Sequence, residues 1–123
     1  MNNFYELLDC EELGVIGCSK VIFNNSFTCK HGMLLGKKAG MSAMKEIENS
    51  YMSGATGHTH RLAKFITRKS ENKYIWLETG CLCSLKPEYM LDPDWQQGFC
   101  TVEFMDGRLY KTTCHEIEDG VIL

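Results

Sequence analysis

Ser53-Gly54-Ala55-Thr56-Gly57-His58-Thr59-His60-Arg61 is a run of small residues that opens through a glycine into two histidines separated by one residue. Four small side chains suit a short strand, and Gly57, lacking a Cβ, lets the backbone turn and approach a ligand closely. On an extended backbone the side chains at i and i+2 point to the same side. His58 and His60 are therefore predicted to face one way and Thr59 the other. Neutral imidazole is the commonest protein metal ligand, and the planar fork of Arg61 suits phosphate oxygens. The stretch predicts a strand that ends in candidate metal ligands, and so a sheet at the centre of the domain. A bare His-x-His in an exposed loop also occurs by chance, so its surroundings decide the matter.

Upstream, residues 21–23, the turn-forming Asn24-Asn25 and residues 26–30 read as a hairpin whose second strand delivers His31. His31 alone is a polar strand-edge residue. It gains meaning because it ends a strand beside a glycine, the same device as at Gly57, and sheet enzymes place ligands at strand ends. After a loop over residues 33–40, residues 41–51 form an amphipathic helix with Met41, Met44, Ile47 and Tyr51 on one stripe. Residues 62–67 and 74–79 are predicted strands joined by a polar turn. Residues 80–95, with Pro87 and Pro93, read as irregular. The strands 98–105 and 108–116 form a second hairpin around Asp106-Gly107, a strong turn signal. A first helix over residues 3–13 is predicted to end at Gly14. This order predicts an α/β layered domain.

The 123 residues, 44% apolar, suit one domain spanning 1–123. No apolar run approaches the ~18 residues of a membrane span, so a membrane partner is not expected. Residues 1–9 hold two acids and no base, unlike a signal or transit peptide. Seven cysteines without an export signal read as reduced thiols, which points to the cytoplasm. The net charge of −3 hides a division. Residues 19–70 hold nine Lys/Arg against Glu46 and Glu48, a balance of +7, and the remainder balances at −10. A positive field around the clustered histidines would favour a phosphate-bearing ligand, unless the charges mix in space.

Other conspicuous residues have plainer readings. His115 beside Glu116 is expected in solvent. Cys81 and Cys83 sit too close for the usual C-x₂₋₄-C zinc pair. With Cys100 and Cys114 they are read as small buried apolar side chains. Trp95 and Phe99 are read as core anchors of the last hairpin, and Lys37-Lys38 as a solvated loop. Two metal ions held ~3.5–4 Å apart need a bridging carboxylate to offset their repulsion. Asp9, Glu11, Glu12 and Glu78 are the nearby candidates, and none sits in a ligand pattern.

Taken together, Lys30-His31-Gly32, Gly36-Lys37-Lys38-Ala39-Gly40 with its helix, Gly57-His58-Thr59-His60-Arg61, Glu78-Thr79-Gly80-Cys81-Leu82-Cys83 and Trp95-Gln96-Gln97-Gly98-Phe99 give the chain a family likeness. It resembles the C-terminal half of the calcineurin-like metallophosphoesterases, in the compact phosphatase or DNA-nuclease version of phages and bacteria. The likeness runs from about residue 13 to about residue 110. It implies a partial metallophosphoesterase-type β-sandwich flanked by helices, the C-terminal half of a four-layer fold. It further implies that His31 and His58 ligate one divalent ion and His60 another, with Arg61 available for substrate phosphate. No other catalytic residue is expected on this chain.

The implied ions are manganese first, with iron, zinc or magnesium as alternatives, because mixed nitrogen and oxygen sites accept several metals. The implied reaction is hydrolysis of a phosphomonoester or phosphodiester, with DNA among the substrates. The family's Asp-x-His, Gly-Asp-x-x-Asp and Gly-Asn-His motifs have no counterpart among these residues. A partner is therefore expected: a chain supplying the N-terminal half, or another copy in a homo-oligomer. Two other readings stay open, a catalytically incomplete remnant that binds metal, nucleic acid or a partner, and a structural domain with vestigial histidines.

Overall fold

A computed structural model describes residues 4–123. Along the chain come a single helical turn, Phe4–Leu7 (α1), the hairpin Lys20–Phe23 (β1) and Phe27–Lys30 (β2), and the helix Met41–Ser50 (α2). Ser53–Thr56 (β3), Leu62–Lys69 (β4) and Asn72–Thr79 (β5) follow, then Gly98–Met105 (β6), Arg108–Glu118 (β7) and Val121–Ile122 (β8). Among the described residues the strands form two sheets, one in the order β1-β2-β3-β5-β4 and the other β6-β7-β8. β2, β3 and β5 are mutually parallel, while β1 and β4 pair antiparallel at the edges. The fold is therefore mixed α/β and mostly sheet.

Strict alternation along β5 builds the layers. Trp76 points to one face, where α2 covers it with Ala43 and Ile47, helped by Phe65 and Tyr74. Leu77 points to the other face and joins Phe27 and Ala55. Against that second face pack Cys100, Val102, Phe104, Leu109 and Cys114 of the β6–β7 hairpin. Trp76, Leu77 and Phe27 are almost fully buried, and side chains of this size each contribute ~2–3 kcal/mol through burial. β3 explains its own composition, because all four of its residues are buried between two parallel neighbours. A Cβ on Gly54 would meet the Trp76 indole at 2.7 Å. Small residues there let the large ring lie flat on the sheet.

The helix expected over residues 3–13 is a correction. Asn3 lies outside the described residues, and from Phe4 only α1 is helical before the chain turns repeatedly to Gly14. Leu7, Leu8 and Leu13 are exposed. An isolated short helix is marginal in water, and among the described residues these three leucines find no surface to cover. The β4–β5 strands also run further than expected, closing on the two-residue turn Ser70-Glu71, both at positive φ. No helix among the described residues is long and apolar enough to cross a membrane.

Candidate metal centre at the strand ends

Because β2, β3 and β5 run parallel, their C-terminal ends share one rim of the sheet. Lys30 pairs with Thr56, and Thr56 with Glu78. His31 follows β2 directly, Gly57-His58-Thr59-His60 follows β3, and Gly80-Cys81-Leu82-Cys83 follows β5. Three strands thus deliver histidines and cysteines to one edge, the position where sheet proteins commonly hold ligands. The N–H groups of Gly57 and His58 both donate to the His31 carbonyl at 3.0 Å, tying the first two strand ends together.

The His58-Thr59-His60 geometry departs from expectation. The backbone is a turn, closed by the His60 N–H donating to the Gly57 carbonyl at 3.0 Å, with His60 at φ 58°. The two imidazoles therefore diverge. His58 meets His31, with Nδ1 and Nε2 3.3 Å apart and the rings edge-to-face at 5.2 Å between centroids. Two imidazole nitrogens on one tetrahedral ion, each ~2.05 Å from it, lie ~3.3 Å apart. The pair is exposed and spaced as two ligands of one centre would be.

His60 turns toward the end of β5. Its Nδ1 lies 3.9 Å from the Cys83 Sγ, and the ligand atoms of His60, Cys81 and Cys83 all fall within 4.8 Å of one another. Among the described residues this is the one such group of three, and it could hold a metal ion. Cys81 is buried, as expected, and Cys83 is exposed, which corrects the reading of Cys83 as a buried apolar side chain. Burial, then the neighbouring Cys83 thiol, pushes the Cys81 thiol up to about 11. Cys81 therefore stays protonated near neutral pH unless a cation draws off its proton.

The segment Gln96-Gln97 clamps this corner. The Gln96 N–H donates to the His60 carbonyl at 3.0 Å, and the Cys81 N–H donates to the Gln96 carbonyl at 3.1 Å. The Gln97 side-chain amide donates to the Cys83 carbonyl at 2.8 Å. Gly80, at φ +74°, permits the approach, since a Cβ there would meet the Gln96 carbonyl oxygen at 2.9 Å. Trp95 sets its ring edge-to-face with His60 at 4.3 Å between centroids. It is therefore a wall of this corner and not the core anchor expected. Phe99 stacks on His115 at 4.7 Å. His115, half-buried with Nε2 2.9 Å from the Thr101 hydroxyl, is less solvated than expected.

Two buried ionic residues hold the rim from beneath. Glu78 is fully buried, and its Oε1 accepts from the Thr59 hydroxyl at 2.8 Å while Oε2 accepts from the Gly40 N–H. Glu78 thus fastens the histidine turn to the start of α2, and among the described residues it belongs to no group of candidate metal-ligand atoms. Asp9, Glu11 and Glu12 are exposed on the N-terminal turns. Arg61 is also buried. Its guanidinium donates to the Gly36 carbonyl at 2.6 Å and to the Lys37 carbonyl at 3.5 Å. Its Nε lies 2.9 Å from the Asp94 carboxylate, close in charge but without an aligned N–H. Arg61 thus braces the glycine-lysine loop from inside, where the sequence suggested a phosphate contact. The positive field is partly cancelled because Asp94, from the acidic remainder of the chain, lies beside Arg61, while Lys30 pairs with Glu46 of its own segment at 2.7 Å.

Cys81 and Cys83 are the ligand-type residues missed in the sequence. The signal was there: Thr79-Gly80-Cys81 repeats the strand-glycine-ligand device of Thr56-Gly57-His58. No family model, curated protein or solved structure matches the chain.

Proposed function

We propose that this chain is the histidine-bearing part of a metal-dependent phosphoesterase of the calcineurin-like type, acting on a phosphomonoester or phosphodiester. The observation that carries the reading is the 3.3 Å approach of His31 and His58 at the ends of two adjacent parallel strands, the spacing of two imidazoles on one divalent ion. His60, on the same turn, is the ligand of a second ion. Ions at such positions supply Lewis acidity and lower the pKa of bound water. The chain's own part is to fix three imidazoles on a rim braced by Glu78 and Arg61. Among the described residues no Asp or Glu joins these histidines in a group of candidate ligand atoms, so the bridging acid is assigned to a partner chain.

Exposed apolar side chains support a partner. Val15, Ile16, Val21, Ile22 and Phe23, in the N-terminal segment and the edge strand β1, are exposed, and apolar side chains on an open sheet edge suit contact with another chain. The same facts fit an incomplete, metal-binding subunit if no partner brings the acid.

The test is to mix this chain with a polypeptide carrying the Asp-x-His, Gly-Asp-x-x-Asp and Gly-Asn-His motifs, add Mn²⁺, and follow hydrolysis of bis(p-nitrophenyl) phosphate. Activity absent from either chain alone should emerge. His58→Ala should remove it by at least ~100-fold. Equal activity with His58→Ala would withdraw that residue's assignment, and no activity in any mixture would leave the incomplete-subunit reading standing.

A further inference from the structure

The corner built by His60, Cys81 and Cys83 carries an inference beyond the phosphoesterase reading, with which it shares only His60. We propose that these three side chains form a site for a thiophilic divalent ion, zinc or a close chemical equivalent, with a fourth coordination position left open.

Three observations support the assignment. The first is distance. On a tetrahedral zinc with Zn–S ~2.3 Å and Zn–N ~2.0 Å, a sulfur and a nitrogen lie ~3.5 Å apart and two sulfurs ~3.8 Å apart. Nδ1 of His60 and Sγ of Cys83 are already at 3.9 Å, and all three ligand atoms lie within 4.8 Å of one another. His60 and Cys83 need to close ~0.4 Å and the other two pairs at most ~1.3 Å, within the sweep of a side-chain rotation.

The second is the route by which the chain evades the usual spacing rule. A C-x-C pair on a regular strand would be a poor chelate. Here Gly80 bends the backbone at positive φ, and Cys81 makes only an isolated bridge with Gln97 before the chain turns away. The two thiols can therefore face a common point.

The third is support from outside the ligand set. Gln96 and Gln97 hold the backbones of His60, Cys81 and Cys83 through the bonds described above, and Trp95 covers the imidazole. Ligand residues held this way cost less to order when an ion arrives.

The donor set decides the ion. Two thiolates and an imidazole select zinc, cobalt or ferrous iron, while manganese and magnesium prefer oxygen ligands. Binding replaces two S–H bonds with two metal–sulfur bonds and releases two protons to solvent, without any change of oxidation state. Three protein ligands on such an ion leave the fourth position for water or substrate.

The test uses Co²⁺ as a spectroscopic stand-in for zinc on the whole chain under reducing conditions. One equivalent should produce a near-ultraviolet thiolate-to-cobalt charge-transfer band and intense visible bands of tetrahedral cobalt, both abolished by one equivalent of Zn²⁺. Cys83→Ser, at an exposed position, should halve the thiolate band or remove it, with far-ultraviolet circular dichroism unchanged. Gln97→Ala should keep the band and weaken cobalt binding ~10–100-fold. The double variant His31→Ala, His58→Ala should keep the band, as should Cys100→Val. A wild-type spectrum without a thiolate band, or a band that Cys83→Ser leaves intact, overturns the proposal. Loss of the band in Cys100→Val, with retention in Cys83→Ser, would place the thiolate ligand in the other sheet and overturn it as well. None of these readouts depends on hydrolysis, so failure of the phosphoesterase reading leaves them interpretable.

Discussion

The molecule carries two cysteine pairs, and they behave differently. At the strand-end rim, Cys81 and Cys83 stand with His60 at the meeting of three strand ends, one thiol buried and the other in solvent. In the β6–β7 hairpin, Cys100 and Cys114 are register partners whose sulfurs lie 3.3 Å apart, facing the layer between the sheets. There the Cys100 thiol donates to Cys114, pulling Cys114 down to about 7 and driving Cys100 well above the ordinary thiol range. His115 follows Cys114 directly, yet strand alternation turns it to the opposite face against Phe99. The hairpin pair therefore lacks a nitrogen ligand, and the rim pair has one. What a thiol becomes depends on whether the backbone at that point alternates or bends.

The largest way to break this contrast is to remove what holds the rim. Glu78→Ala leaves the Thr59 hydroxyl and the Gly40 N–H without their buried acceptor, and should cost ~2–4 kcal/mol in a urea titration. Glu78→Gln should recover part of that loss through its remaining carbonyl. A Glu78→Ala protein as stable as wild type would mean the rim is not held from beneath. Next comes Arg61→Met, which strands the Gly36 and Lys37 carbonyls and should cost ~1–3 kcal/mol by the same measurement. It should leave affinity for inorganic phosphate unchanged, and weakened phosphate binding would support the ligand role suggested by the sequence.

The smallest effect sharpens the hairpin side. The Cys114 pKa of about 7 lies below the ~8.5 of an unfolded cysteine. The unfolded chain therefore holds more protons between these values, and stability rises with pH across that window. The gain is lost again as pH falls through about 7. Above ~8.5 the sign reverses, because folded Cys100 keeps a proton that the unfolded chain gives up. For half-buried thiols the gain is on the order of 1 kcal/mol after solvent screening. Urea midpoints at several pH values should show a shallow maximum near pH ~8.5, absent in Cys100→Val. A profile identical in wild type and Cys100→Val would show that the two sulfurs are not coupled.

Local rules carried much of the design. The hairpin at Asn24-Asn25, the helix from Met41, the small-residue strand Ser53–Thr56 and the Asp106-Gly107 hairpin were legible because turn chemistry and hydrophobic period are short-range properties. So was the arrival of His31 and His58 at strand ends. The first helix was not legible beyond one turn, because its periodicity promised a packing surface that the described fold does not provide. The direction of His60 escaped as well. Its left-handed backbone turns the ring away from His58, and nothing in a Gly-His-Thr-His string distinguishes a turn from a strand.

By itself, then, the sequence determined the histidine half of the site, with His31 and His58 each next to a glycine at the end of a strand. Only the tertiary structure decided the pairings, His31 with His58 and His60 with Cys81 and Cys83. The reason is that parallel pairing brings residues far apart in sequence to one rim, and partnership there depends on strand order and backbone φ. The same holds for Glu78 and Arg61, which the sequence offered as a candidate bridging acid and a candidate phosphate contact. Burial beneath the rim left their polar groups no partner but the backbone and side chains that they now fasten.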